Sequence, residues 1–213
     1  METAVIFFHG NLSDTSDLKY YISTKPLIIC ADGGTVHALN LDIIPDVVVG
    51  DFDSISDHDR EILKKRDTKF ISYPKEKDYT DAELAVQYAI NHGAKKIIIA
   101  GLLGDRIDHM LANIFFLASL SQRIDICIIE KDQEIRFVKK SIEIKGHKGD
   151  EVSLIPIQTD CTGISTDGLY YSLINATVPF GSTRGISNVM VSSKAKVMLK
   201  QGLLMVIYRR LKH

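Results

Sequence analysis

Acidic residues follow the apolar runs of this sequence. The run LIIC (27–30) leads into Asp32, Gly33 and Gly34, and DVVVG (46–50) leads into Asp51, Phe52, Asp53 and Ser54. KIIIAG (96–101) leads into Gly104, Asp105, Arg106 and Asp108. If GDFDS (50–54) stays extended, Asp51 and Asp53 project to one side with their α-carbons about 6 to 7 Å apart. Two carboxylates so placed repel unless a cation lies between them. Mg2+ suits such an all-oxygen site, using one or two carboxylates and completing its shell with water and substrate phosphate. The segment KEKDYTDAE (75–83) adds Asp78 and Asp81 at the start of a helix, where the dipole and free N–H groups favour an anion, although a carboxylate there also serves as a plain cap. Gly33, Gly34, Gly101 and Gly104 permit close backbone approach, and Lys77 and Arg106 supply positive charge. The set suits a metal-bound polyphosphate. His109 reads either as a proton-transfer group or as a structural imidazole near a helix start.

These residues act together only if the fold brings them to one place. From residue 4 to 129, the Ile- and Val-rich runs AVIFF (4–8), LIIC, DVVVG, KFISY (69–73), KIIIAG and DICII (125–129) alternate with helix-like segments. Continuous apolarity marks strands buried on both faces, as in parallel sheets covered by helices. The first part therefore reads as a doubly wound, mostly parallel α/β sheet with helices on both faces, whose carboxyl ends share one edge. A helix is expected over 80–92, capped by Thr80, supported by Glu83 and stopped by Gly93. A second begins near Asp108 and should bury Met110, Leu111, Ile114, Leu117 and Ala118. After about residue 130, EIRFV (134–138), SIEIK (141–145), EVSLIPI (151–157), AKVMLK (195–200) and GLLMVIY (202–208) are separated by turn-forming clusters. That part reads as an antiparallel β-sandwich or small barrel. The expected division is an α/β domain over 1–124 and a β domain over 125–213.

The 213 residues suffice for one large or two compact units. With 45% apolar and 25% charged residues, 14 Gly and 5 Pro, disordered and collagenous classes are excluded. A net charge of −1 provides no general attraction to polynucleotides or anionic membranes, so no nucleic-acid or membrane partner is expected. The opening METAVIFFHG lacks a basic start and a full apolar stretch, and no run approaches the ~20 residues of a membrane span. A cytoplasmic protein is the expectation. Cys30, Cys127 and Cys161 match neither a disulfide framework nor a zinc site and read as reduced and buried.

Five blocks together resemble the bacterial thiamine pyrophosphokinase (thiamine diphosphokinase) family. They are ADGG (31–34), PDVVVGDFDS (45–54), KEKDYTDAELA (75–85), GLLGDRIDHMLAN (101–113) and GISNVM (185–190). The resemblance implies an N-terminal α/β catalytic domain, a C-terminal β-sandwich that binds thiamine, and a homodimer with active sites between chains. It implies Mg2+-dependent transfer of the terminal diphosphate of ATP to thiamine's hydroxyethyl oxygen, leaving AMP. By matching motif, Asp51, Asp53 and Asp78 look like metal or phosphate ligands, with Asp81 beside them in the catalytic set. Asp32, Gly33, Gly34, Lys77, Thr80, Asp81, Gly101, Gly104, Arg106, Asp108 and His109 look like the nucleotide pocket. Ser187 and Asn188 look like contacts to the thiamine pyrimidine. The chain departs from the family at Asp105, where a second Gly is common. It also lacks the Trp on which some members stack thiamine, so Tyr170, Tyr171 or Phe180 must form any aromatic wall; Tyr171 is the choice. A sugar-nucleotide transferase, a carboxylate phosphatase and a non-catalytic sensor are the competing readings of the acidic loops.

Overall fold

The computed structural model describes residues 2–13, 16–74, 76 and 78–211, so the expectation for Lys77 lies outside the described residues. The chain divides into two compact units, Met1–Lys131 and Asp132–His213. The first contains β1 (Thr3–Phe7), α1 (Ser16–Ser23), β2 (Leu27–Ala31), α2 (Thr35–Asn40), β3 (Val47–Gly50), α3 (Asp57–Lys65), β4 (Lys69–Ser72), α4 (Asp81–Asn91), β5 (Lys96–Ala100), α5 (Ile107–Leu120) and β6 (Asp125–Glu130). The division falls later than the expected 124/125. DICII belongs with the α/β unit because β6 pairs in parallel with β5, Lys96 opposite Asp125 through Ala100 opposite Ile129.

All strand pairs of this unit are parallel, in the order β6-β5-β1-β2-β3-β4. The chain works outward from β1 to β4 and then returns to place β5 on the other side of β1. Strand order therefore reverses between β1 and β5. Open α/β sheets bind ligands outside the carboxyl ends of the strands at such a reversal.

The residue types explain these elements. All four residues of β3 are buried, as are the last four of β1, β2 and β5, so both sheet faces are covered there. Ile97, Ile98 and Ile99 are fully buried, and each such side chain contributes roughly 1.5–3 kcal/mol of transfer free energy. Edge strand β4 buries no residue completely. The Thr80 side chain accepts the Glu83 N–H at 3.1 Å, and Gly93 takes φ +84 beyond the end of α4, as the sequence leads one to expect. In α5 the expected stripe is only partly right. Leu117 and Ala118 are buried, but Leu111 is 44% exposed, beside exposed Ile107 and Phe115. All three cysteines are buried thiols outside any disulfide, and burial holds the Cys30 thiol well above its ordinary pKa.

The second unit contains β7 (Gln133–Val138), β8 (Ser141–Lys145), β9 (Glu151–Pro156), β10 (Cys161–Asp167), β11 (Ala176–Val178), β12 (Asn188–Val189), β13 (Lys194–Met198) and β14 (Leu204–Arg209). Strands β7, β14, β9 and β12 pair antiparallel in that order, and so do β8, β13, β10 and β11. Val138, Leu154, Ile164, Val197, Leu204 and Val206 form one core cluster. This is a β-sandwich, with each sheet burying its inward face. No helix among the described residues is long and apolar enough to cross a membrane.

Candidate active site

A cavity of about 560 Å³ opens at the strand-order reversal of the α/β unit. Its lining comes from six places along the chain: Phe8–Gly10 after β1, Ala31–Gly33 after β2, Asp51 after β3, Tyr79–Ala82 at the start of α4, the segment after β5, and the first turns of α5. Of the expected nucleotide-pocket residues, Asp32, Gly33, Thr80, Asp81, Gly101, Gly104, Arg106 and His109 line it, as does Asp51. Asp53, Asp78, Gly34 and Asp108 do not. Gly34 is buried at the foot of α2, where an added Cβ would collide with the Phe7 carbonyl.

One carboxylate oxygen from each of Asp32, Asp51 and Asp53 lies within 4.8 Å of the others. Asp32 thus joins the pair read from sequence, and Asp78 is not part of the group. The route also differs from the expected extended strand. Phe52 sits in the left-handed region at φ +66, and Asp32 does so at φ +42. The kink still brings Asp51 and Asp53 together, and the Asp53 N–H donates to Asp51 Oδ1 at 3.3 Å. Gly50, at φ +152, makes the packing possible. A Cβ there would stand 2.9 Å from Asp32 Cβ and 3.2 Å from Asp81 Oδ1, tighter than side chains normally tolerate.

Asp32 is 8% exposed, and its Oδ1 is buried with no hydrogen-bond partner. A buried, unpaired carboxylate oxygen is costly. The acids of the cavity, Asp32, Asp51, Asp81 and Asp105, face Arg106 as the one Lys or Arg of the described lining. Acids thus outnumber bases in the described lining, a field in which a divalent cation is favoured. The donor set, all carboxylate oxygen, fits Mg2+. Asp32, Asp51 and Asp53 are the residues that would hold it.

Positive charge is delivered by Arg106. Its Nε and Nη2 donate to the two oxygens of Asp108 at 2.9 and 2.6 Å. Those bonds hold the Asp108 carboxyl well below the usual carboxylate range and pair it with the Arg106 guanidinium. Asp105, at the family departure, is exposed on the cavity wall and adds a further carboxylate. The N-terminus of α4 also opens here, through Thr80, Asp81 and Ala82, where backbone N–H groups favour an anion.

Sequence reasoning missed two features of this site. The first is the loop Phe8–Gly10, whose signal was its place after the first strand of a doubly wound sheet. The second is Glu130, at the end of β6. It is 3% exposed and accepts the N–H groups of Leu102 and, at 3.2 Å, Leu103. Burial raises its pKa to about 7, against the lowering effect of the Leu102, Leu103 and Gly101 N–H groups. The cavity loop is tied on its other side to the β1 loop, Gly10 N–H donating to Gly101 O at 2.8 Å and Asn11 N–H to Leu103 O at 2.5 Å. Gly101 is required at φ +74, with the Phe8 carbonyl 2.5 Å from where a Cβ would stand. The Leu102 and Leu103 N–H groups therefore point to Glu130 rather than to a ligand.

The β unit has its own cavity of about 290 Å³, lined by Leu154, Tyr171, Ser172, Leu173, Arg184, Gly185, Ile186 and Asn188. Tyr171 meets Tyr170 edge to face at 4.9 Å, whereas Phe180 is exposed and outside the lining. Asn188 is buried, and its amide is committed to backbone: Oδ1 accepts the N–H groups of Tyr171 at 3.0 Å and Val189 at 2.9 Å, while Nδ2 donates to Tyr171 O at 2.8 Å. Asn188 thus fixes Tyr171 on the cavity wall. Ser187 is exposed at φ +54, and its N–H donates to Ser153 Oγ at 3.0 Å. It does not line the cavity.

Two family models match this chain. The thiamin pyrophosphokinase catalytic domain matches residues 18–128 and the thiamin pyrophosphokinase vitamin B1 binding domain matches residues 133–204. The chain belongs to the thiamine pyrophosphokinase family. It is an enzyme of the thiamine diphosphokinase class, which displaces the sugar-nucleotide, phosphatase and sensor readings. Thiamine pyrophosphokinase of Bacillus subtilis is 33% identical over 97% of this chain and 98% of its own. Thiamine pyrophosphokinase 1 of Arabidopsis thaliana is 28% identical over 85% of this chain and 77% of its own. The crystal structure of the B. subtilis protein covers 99% of this chain and 100% of its own at a TM-score of 0.88 and 31% identity. That of Geobacillus thermodenitrificans covers 99% and 98% at 0.84 and 27%.

Proposed function

We propose that this enzyme makes thiamine diphosphate by moving the terminal diphosphate of ATP, in one step, to the hydroxyethyl oxygen of thiamine, releasing AMP in a Mg2+-dependent reaction. The observation that carries the metal and nucleotide parts is the Asp32, Asp51 and Asp53 group at the rim of the switch-point cavity, with its unpaired buried oxygen. The family's B1-binding domain over 133–204 supports thiamine as the acceptor.

When bound, Mg2+ supplies charge neutralisation on the non-bridging phosphate oxygens. The three aspartates hold that charge at the rim. Arg106, paired with Asp108, offsets charge on the polyphosphate. The N-terminus of α4 adds fixed N–H donors. Glu130 keeps the 101–103 backbone turned away from the ligand, so that loop shapes the wall instead of binding phosphate. Phosphoryl transfer asks little covalent chemistry of a protein, and catalysis by these residues is positioning and electrostatics. In the β unit, Tyr171 offers an aromatic face to thiamine, held in place by Asn188. The expectation of a cytoplasmic homodimer with active sites between chains belongs to the same proposal. Tyr170, Tyr171, Ile174, Phe180 and Ile186 are exposed apolar groups of the β unit that such an interface would cover.

The test is AMP release from ATP, measured with and without thiamine and Mg2+. The proposal requires AMP and thiamine diphosphate in equal amounts, only when both are present. ADP as the product would refute it.

A further inference from the structure

The kink that joins Asp51 to Asp53 is improbable on its own backbone preferences. A bulky aromatic residue in the left-handed region is disfavoured by the clash of its Cβ with the backbone, yet Phe52 lies at φ +66. Such residues persist only where their surroundings over-determine them. What over-determines Phe52 is visible. Arg60, in the first turns of α3, donates from Nη2 to the Phe52 carbonyl at 2.8 Å. Its guanidinium carbon also lies 5.5 Å from the centroid of the Phe52 ring, within cation–π range. The same ring also meets Phe70 edge to face at 5.3 Å and 84°. The backbone oxygen and the ring of one residue are thus held by one cation and one aromatic neighbour. The first turn of α3 is capped, Ser56 Oγ accepting the Asp59 N–H at 3.1 Å, so the turn that carries Arg60 is well defined. Its Nε is buried without a partner, a cost accepted to seat the guanidinium there.

Resting on the metal reading above, we propose that Arg60 is a positioning residue of the divalent-cation site, holding Phe52 in its left-handed kink so that Asp51 and Asp53 converge with Asp32. Arg60 touches none of the three carboxylates through any bond described. Its effect runs through the Phe52 carbonyl and ring. If the clamp is removed, Phe52 relaxes towards the extended region and the Asp53 carboxylate leaves the group.

Positioning by Arg60 and its simple electrostatic effect have opposite signs. Arg60 is a positive charge near a cation site, so its Coulomb effect opposes metal binding, and neutralising it should tighten binding. Positioning requires the reverse. The readout is direct binding of Mn2+, used in place of Mg2+ and followed by loss of the free-ion electron paramagnetic resonance signal, with no nucleotide or thiamine present. Arg60→Met, which keeps the stem and loses the donor and the charge, should weaken Mn2+ binding about tenfold. Arg60→Lys keeps the charge but not the planar fork and should also weaken it. Phe52→Gly removes the penalty on positive φ, so adding Arg60→Met to Phe52→Gly should cost less Mn2+ affinity than adding it to the wild type. Unchanged or tighter binding in Arg60→Met and Arg60→Lys, each shown to be folded by circular dichroism, overturns the role of Arg60 while leaving the metal reading intact. No Mn2+ binding by the wild type overturns both.

Discussion

Replacing Glu130 by Gln isolates one buried ionisation. In the folded chain the Glu130 carboxyl is raised from 4.5 to about 7, first because burial strips water from its charged form and in spite of the N–H groups of Leu102, Leu103 and Gly101. The folded protein therefore binds this proton more tightly than the unfolded chain does. Its contribution to stability is fully present below about pH 4.5 and is lost as the pH rises through about 7. At about 1.4 kcal/mol per pH unit across that window, the loss is about 3 kcal/mol. Gln keeps one oxygen able to accept the Leu102 and Leu103 N–H groups and cannot ionise. The Glu130→Gln protein should thus gain about 3 kcal/mol relative to wild type between about pH 4.5 and pH 8. Urea unfolding of both proteins across this range measures the difference, in which carboxylates common to both cancel. Two stability curves that stay parallel over the whole range would refute the assignment of a strained, buried charge beneath the cavity loop.

Other substitutions separate chemistry from scaffold. Asp53→Ala should lower turnover by about 100-fold or more through loss of one arm of the acid group; because Asp53 is exposed, its thermal midpoint should stay near wild type, and near-normal turnover would contradict a metal role. Asn188→Ala breaks three hydrogen bonds to the backbone in a buried position, so chemical denaturation should show a loss of about 2–3 kcal/mol, and the thiamine KM should rise more than the ATP KM. Thr80→Ala removes the cap of α4 and should cost about 1 kcal/mol in urea unfolding, together with a higher KM for ATP.

Local patterns in the sequence carry much of the fold. The Ile and Val runs named the parallel strands to within a residue or two, and Thr80 with Glu83 and Gly93 marked both ends of α4. The strand ends then predicted which loops would share an edge, and Asp51 with Asp53 stood out by spacing alone. What stayed hidden depends on backbone angles and long-range packing. Nothing local announces that Asp32 and Phe52 take positive φ, or that Asp32 stands with Asp51 and Asp53 in the acid group. Glu130 ends an apolar strand and acquires its role only by meeting the loop after β5. Leu111 fits a helical stripe in period, yet in α5 it lies on the exposed side with Ile107 and Phe115. Asn188 reads as a ligand contact from its motif; it lines the β-unit cavity, and its amide bonds to the backbone of Tyr171 and Val189 depend on long-range packing that no motif shows.

The most direct test of diphosphate transfer at the acidic rim follows the phosphorus atoms themselves. ATP labelled at the β-phosphorus, incubated with the enzyme, thiamine and Mg2+, should place its label in thiamine diphosphate, while label at the α-phosphorus stays in AMP. Recovery of the β label in ADP, with only the γ-phosphoryl group on thiamine, would contradict the account.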